Sequence, residues 1–221
     1  MDENSKISSV DSYKLGDHIS CIYRTNDELF SAIIPFFIDG LNKGNKCIYI
    51  LGEQSQDEVI KAFTDSGVDL LPYILKKDFI FASHKDIYFK NNNFNIKNVT
   101  SNLVAEESKA MEQGYTGLRV AGSAWSIINE SPILSDFVEY EKLVNEFLES
   151  SFITAMCLYK ESLFENKALI DTIYSHPLIY LYDKLIENNY YNSLDTGFSK
   201  LSFEEIKRSL ESSIKSSSRL V

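Results

Sequence analysis

Two kinds of segment alternate along this chain, and the alternation restricts it to one fold class. Five short runs are apolar almost without interruption: His18 to Arg24, Lys46 to Leu51, Asp78 to Ser83, Leu118 to Ala121 and Phe152 to Tyr159. Strands that read this way, rather than apolar and polar in turn, are covered on both faces, as in parallel sheets. Between them lie amphipathic segments with helix signals. Thr25-Asn-Asp-Glu28 and Ser55-Gln-Asp-Glu58 are capping boxes, and Ser131-Pro132 places Ser at an N-cap and Pro at the permissive first position. The first helix carries Leu29, Ile33, Phe36, Phe37 and Leu41 on one face, with Pro35 as an expected kink. Glycines 44, 67 and 114 close helices. A helix from Phe164 to Ser175 is broken by His176-Pro177, and Leu178 to Tyr182 reads as a last strand. Strand–helix repetition through five or six cycles predicts a three-layer αβα domain around a mainly parallel central sheet, plus a C-terminal helix. Ligands of such open sheets bind at the carboxyl edge of the strands.

Three regions follow from composition. Residues 1–15 form a polar leader, residues 16–191 the α/β domain, and residues 192–221 a linker and an amphipathic helix. That helix opens on a third capping box, Ser202-Phe-Glu-Glu205, and carries one narrow stripe of Phe203, Ile206, Leu210 and Ile214. A lone helix of this length is marginal in water, so the stripe must dock on the domain or on a second copy.

A formal charge of -10 argues against nucleic acid as a direct partner, because phosphate binding needs a basic face. The first residues lack a signal-peptide pattern and no apolar run approaches membrane length, so a cytoplasmic protein without a membrane partner is expected. Cys21, Cys47 and Cys157 fall in strand-like runs without zinc spacing, which predicts reduced buried thiols. Neither GxxxxGK[ST] nor GxGxxG occurs, nor GxSxG or HExxH. The expectation is therefore no catalytic residue, no metal and no cofactor.

The segment most suggestive of a site is Gly114-Tyr-Thr-Gly-Leu-Arg-Val-Ala-Gly-Ser-Ala-Trp125. A guanidinium inside a buried strand must be paired or must face a polar cavity. Arg119 thus reads either as a ligand contact or as an ion-pair anchor, with Glu53 or Glu141 as candidate acids. His18, Cys21, Tyr23, Glu53, Tyr88, Trp125 and Tyr159 complete the candidate ligand-binding set. His18 admits a backbone-bonded structural role as readily as a ligand role. Glu141 reads as solvated helix surface, and Cys157 as core. His18 and Cys21, three apart on a strand, point to opposite faces and do not form a thiolate–imidazole pair.

Together these landmarks resemble the MEDS domain, the sensory domain of DcmR-like regulators. The resemblance rests on His18-Ile-Ser-Cys-Ile-Tyr23, Pro35 with Gly40-Leu41, Lys46-Cys-Ile-Tyr-Ile50, Gly67-Val68-Asp69, the Gly114–Trp125 segment, Tyr140-Glu141, Thr154-Ala-Met-Cys157 with Tyr159, and His176-Pro177-Leu178. It implies a RecA/KaiC-like fold without a working phosphate loop and a non-catalytic sensor of simple hydrocarbon derivatives, such as one-carbon compounds, in prokaryotic signalling or transcriptional regulation. Ser123 and Ala124 stand where that family often carries an acid. The implied partners are a small organic ligand and a signalling protein in trans, or a second copy of the chain. The alternative is a degenerate RecA-like interaction module acting through its C-terminal helix.

Overall fold

A computed structural model describes residues 12–84, 87, 89–90, 93–94, 96–123, 134–181, 184–191 and 201–217. The strands are β1 (His18–Tyr23), β2 (Lys46–Leu51), β3 (Phe79–Ser83), β4 (Phe89–Lys90), β5 (Asn93–Phe94), β6 (Leu118–Ser123), β7 (Ile153–Lys160), β8 (Leu178–Leu181) and β9 (Lys184–Glu187). The α-helices are α1 (Asn26–Asn42), α2 (Gln56–Asp65), α3 (Leu71–Lys76), α4 (Ile96–Glu112), α5 (Leu134–Leu148), α6 (Asn166–Ser175) and α7 (Phe203–Ser217). Seven strands form one sheet in the order β3-β2-β6-β7-β1-β8-β9, parallel except for β8 against β9. β4 and β5 form a small antiparallel ladder and, with β9 and α3, add to the elements expected from the sequence.

Alternation along each central strand divides the core in two. Ile19, Cys21 and Tyr23 of β1, with Met156 and Leu158 of β7, pack against α1 and α2. Ile22, Ala155 and Tyr159 face the other way, toward α4, α5, α6 and α7. This is the three-layer arrangement that continuous apolar strands require.

Local signals hold where the chemistry is complete. Ser55/Glu58 and Ser202/Glu205 close reciprocal capping boxes. Thr25 caps α1, but the Glu28 carboxylate turns to the Arg24 backbone N–H and guanidinium instead. The Ser131-Pro132 helix start lies outside the described residues. α1 runs continuously past Pro35. Proline has no N–H for the Ser31 carbonyl one turn back; the Tyr180 hydroxyl of β8 donates to that carbonyl at 2.9 Å. The stripe of α7 docks on its own domain, with Phe203, Ile206, Leu210 and Ile214 all buried.

Candidate functional site

Four elements bring polar side chains to one point between the sheet and its second helical layer. His18 opens β1, Cys157 lies midway along β7, Glu141 sits on α5, and His176 caps the end of α6. One ligand-capable atom from each lies within 4.8 Å of all the others. His18 Nε2 is 3.4 Å from Cys157 Sγ and 3.5 Å from Glu141 Oε2, and His176 Nε2 is 3.4 Å from the same Glu141 oxygen. The imidazole rings lie with centroids 4.1 Å apart and planes tilted by 37°. His18, Glu141 and His176 are at most 1% exposed, and Cys157 is only partly buried.

The surrounding groups fix how these side chains are presented. Asn145, one turn beyond Glu141, donates through its amide to the Ser175 carbonyl. Its Oδ1 is thereby turned to His18 Nδ1, at 2.9 Å. A carbonyl oxygen only accepts, so His18 carries its proton on Nδ1 and holds a bare lone pair on Nε2. His176 Nδ1 faces the Thr172 carbonyl at 2.8 Å, and the same logic bares its Nε2. Tyr159 donates its hydroxyl to Glu141 Oε1 at 2.7 Å. Among the described residues, Glu141 Oε2 and His176 Nε2 are left buried without a hydrogen-bond partner.

Burial sets the charge state. It lowers His18 to a pKa of about 4 against the opposing bond to Asn145, and raises Glu141 to about 8 against the bond from Tyr159. Burial, then the neighbouring His18, drives His176 well below its ordinary value, while burial, then Glu141, pushes the Cys157 thiol well up. The His–Glu contacts are therefore not ion pairs at neutral pH. At neutral pH Glu141 and Cys157 keep their protons and the two imidazoles their Nε2 lone pairs, yet Glu141 Oε2 and His176 Nε2 make no hydrogen bond among the described residues, at a cost of about 1–3 kcal/mol each.

A second feature lies at the carboxyl end of β1. A cavity of about 160 Å³ opens between β1, β8, α1 and α7. Ile22, Ile173, Ile179, Leu181, Phe203 and Leu210 give it apolar walls, and Cys21, Tyr23 and Tyr180 also line it. Two ion pairs edge it, Arg24–Glu28 and Lys207–Glu161, the latter tying α7 to the turn after β7 at 2.6 Å. The adjacent start of α1 carries Asp27 and Glu28 in its first turn. These carboxylates occupy the position at which a helix N-terminus would otherwise attract phosphate.

The sequence-derived candidates thus separate into distinct places. Cys21 and Tyr23 reach the carboxyl-edge cavity. His18 and Tyr159 belong to the buried cluster. Glu53 pairs with Lys160 near the surface at 2.8 Å. Tyr88 and Trp125 lie outside the described residues. Arg119 is the second residue of β6, near the amino rather than the carboxyl edge, and it faces α1, across the sheet from His18. It is a structural anchor: its guanidinium donates to Asp39, to Asn45 Oδ1 at 3.2 Å and to the Phe36 carbonyl at 3.4 Å, with the Tyr13 and Phe36 rings 4.9 and 5.0 Å away. Its acid is Asp39, neither Glu53 nor Glu141, because α1 packs against β6 on the face that Arg119 presents. Gly40 permits the approach, since a Cβ there would come within 2.5 Å of Arg119 Cγ.

Glu141 is the largest correction to the sequence reading, being buried rather than solvated. Buried positions on α5 include Tyr140, Glu141, Val144, Asn145 and Leu148. The signal was a pair of polar residues four apart within that apolar stripe. The other partner of His18 is Asn145, a side chain rather than backbone.

Comparison with known proteins decides the family. The model of the MEDS domain (MEthanogen/methylotroph, DcmR Sensory domain) matches residues 17–177. The chain belongs to the MEDS family. The transcriptional repressor DcmR of Methylorubrum extorquens is 24% identical over 170 residues, which are 75% of this chain and 60% of that protein. The chain thus spans less than two thirds of the repressor's length. Among solved structures, a KaiC-like protein from Pyrococcus horikoshii OT3 superposes with a TM-score of 0.54 at 11% identity, covering 80% of this chain and 74% of that one. The flagellar accessory protein FlaH from Methanocaldococcus jannaschii does so with 0.53 at 10% identity, covering 81% and 80%. The MEDS domain therefore has a RecA/KaiC-like fold. No helix among the described residues is long and apolar enough to cross a membrane. Its buried His–Glu–Cys–His cluster falls wholly within the matched region.

Proposed function

We propose that this MEDS domain is a non-catalytic sensor whose ligand, a small and largely apolar organic molecule, binds in the carboxyl-edge cavity under α7. The observation that carries this reading is the cavity itself, about 160 Å³ with mainly apolar walls, one of which is a C-terminal helix. An apolar cavity of roughly 150 Å³ accommodates benzene, so the ligand class extends beyond one-carbon compounds to hydrocarbon derivatives of about six heavy atoms. Tyr23 and Tyr180 at its wall suit a ligand with one polar group. Signalling follows if the ligand prefers one placement of α7 over another. The output is then read by a protein partner in trans or by a second copy. DcmR, named a transcriptional repressor, makes regulation of transcription the leading context.

The rival reading, an interaction module working through the α7 stripe, is disfavoured because that stripe is already spent on the domain. Binding energy has a ceiling near ~1.5 kcal/mol per heavy atom for very small ligands. Methanol or chloromethane would therefore bind more weakly than about 1 mM, and a larger derivative more tightly. Calorimetry and thermal shift with alcohols, methylamines, methyl sulfides and chlorinated hydrocarbons of rising size test the proposal. Affinity should climb with size until the cavity is filled, and Ile22→Trp should abolish it. No response across the series, in folded protein free of bound ligand, would sink the reading.

A further inference from the structure

The convergent cluster between β1, α5, β7 and α6 is a separate matter from the cavity. We propose that His18, Glu141, Cys157 and His176 form a closed four-ligand site for a divalent transition-metal ion of zinc's class. Three observations carry this. The first is spacing. Zinc bonds imidazole and carboxylate at about 2.0–2.2 Å and thiolate at about 2.3 Å, so neighbouring ligand atoms of a tetrahedral site lie roughly 3.4–3.6 Å apart. The three closest separations here are 3.4, 3.4 and 3.5 Å, and every other lies within 4.8 Å, a contraction that small side-chain rotations supply.

The second is presentation. Both histidines donate Nδ1–H to an oxygen, Asn145 Oδ1 or the Thr172 carbonyl, which aims an Nε2 lone pair from each at the centre. Tyr159 bonds the outer oxygen of Glu141 and leaves the inner one directed inward. Outer partners of this kind orient metal-bound histidines and carboxylates. The third is incompleteness. Cys157 Sγ lies within hydrogen-bond reach of His18 Nε2, but among the described residues Glu141 Oε2 and His176 Nε2 are buried with no hydrogen-bond partner. A cation at the centre satisfies all of them at once.

Donor chemistry selects the ion. Two imidazoles, a thiolate and a carboxylate suit Zn²⁺, Fe²⁺ or Co²⁺ and disfavour Mg²⁺ and Ca²⁺, which take oxygen ligands. Four protein ligands complete a tetrahedron and leave no position for substrate, so the site joins two strands and two helices rather than performing hydrolysis.

The experiment uses the full chain without a histidine tag. Chelator-treated protein should regain one equivalent of Zn²⁺ by elemental analysis and melt at a higher temperature with it. Co²⁺ should give the intense visible bands of tetrahedral coordination together with a thiolate charge-transfer band. Cys157→Ser should remove that band. Glu141→Gln, which replaces a neutral carboxyl group by an isosteric amide, should fold without metal yet lose the Zn²⁺-induced rise in melting temperature. Asn145→Ala should weaken Zn²⁺ about 10- to 100-fold, as loss of an outer partner does. Folded protein that takes up well under a tenth of an equivalent would overturn the proposal. So would an octahedral Co²⁺ spectrum indifferent to Cys157→Ser, or a Zn²⁺ response undiminished in Glu141→Gln.

Discussion

The two faces of the sheet each bury a polar centre, and they solve the problem in opposite ways. On the α1 face, Arg119 meets a carboxylate, an amide oxygen, a backbone carbonyl and two aromatic rings. On the other face, His18, Glu141, Cys157 and His176 direct ligand-capable atoms toward one another, and two of these buried atoms have no partner among the described residues. A buried polar group that is fully paired holds a frame. A group of them left incomplete, with outer partners holding them so, is a place where something is to be bound. The difference is one of completeness, because Arg119 and His18 are both 1% exposed and both sit on central strands.

Breaking the complete centre should have the largest effect. Arg119→Met is expected to destabilise the fold by about 3 kcal/mol, the lower end of the range for removing one partner of a buried pair, because Asp39 is 30% exposed and regains water. The readout is the urea unfolding midpoint. A loss below about 1 kcal/mol would mean that Arg119 does not anchor α1. Gly40→Ala probes the same contact from the helix side. Alanine favours a helix over glycine by about 1 kcal/mol, yet its Cβ would meet Arg119 Cγ, Cδ and Nε at 2.5 to 3.0 Å, against a side chain pinned at its far end. Overpacking of this kind costs about 1–3 kcal/mol, so the net result should be destabilising. A stabilised Gly40→Ala would show that Arg119 moves freely.

A smaller test lies where α1 meets β8. Tyr180→Phe removes the donor that serves the Ser31 carbonyl freed by Pro35. The expected loss is about 1 kcal/mol. Changing Pro35→Ala in the same chain restores an N–H to that carbonyl and should recover most of it.

How much of this was legible from residues alone follows the same division. Layers, strand starts and all three capping boxes are readable, since continuous apolar runs and S/T-x-x-E spacings are local signals, and the structure closes two of the boxes in full. β9 was not, because Lys184–Glu187 is only four residues long and pairs as the edge of a hairpin. Arg119 was recognisable as a buried charge, but its partner was not, for Asp39 lies 80 residues away and comes to it only through the α1 crossover. The His–Glu–Cys–His cluster was harder still. Its members come from four elements, with Glu141 lying 123 positions after His18, so no motif spacing relates them. Only His18 among the four was singled out as a ligand. The polar interruption of the α5 stripe at Glu141 and Asn145 was the available clue, and it was read as surface.

The incomplete centre should also declare itself through pH, with a distinctive sign. In protein kept free of divalent metal, the folded state holds a proton on Glu141 up to about pH 8, whereas the unfolded chain releases it near its ordinary value of 4.5. A raised carboxyl pKa means that stability is full below about 4.5 and is lost as pH rises toward 8. His18 acts in the other direction. Its folded pKa of about 4 lies below the ordinary 6.5, so its share is present above 6.5 and is lost as pH falls toward 4. His176, also lowered, adds to that loss on the acid side. Two histidines outweigh one carboxyl below pH 6.5, and above it only Glu141 still titrates. Stability should therefore rise toward pH 6.5 and then decline to pH 8. Glu141→Gln removes the titrating group, so the decline between pH 6.5 and 8 should flatten while the rise below 6.5 persists. An unchanged decline in that variant would place its source outside the cluster and weaken the contrast between the two faces.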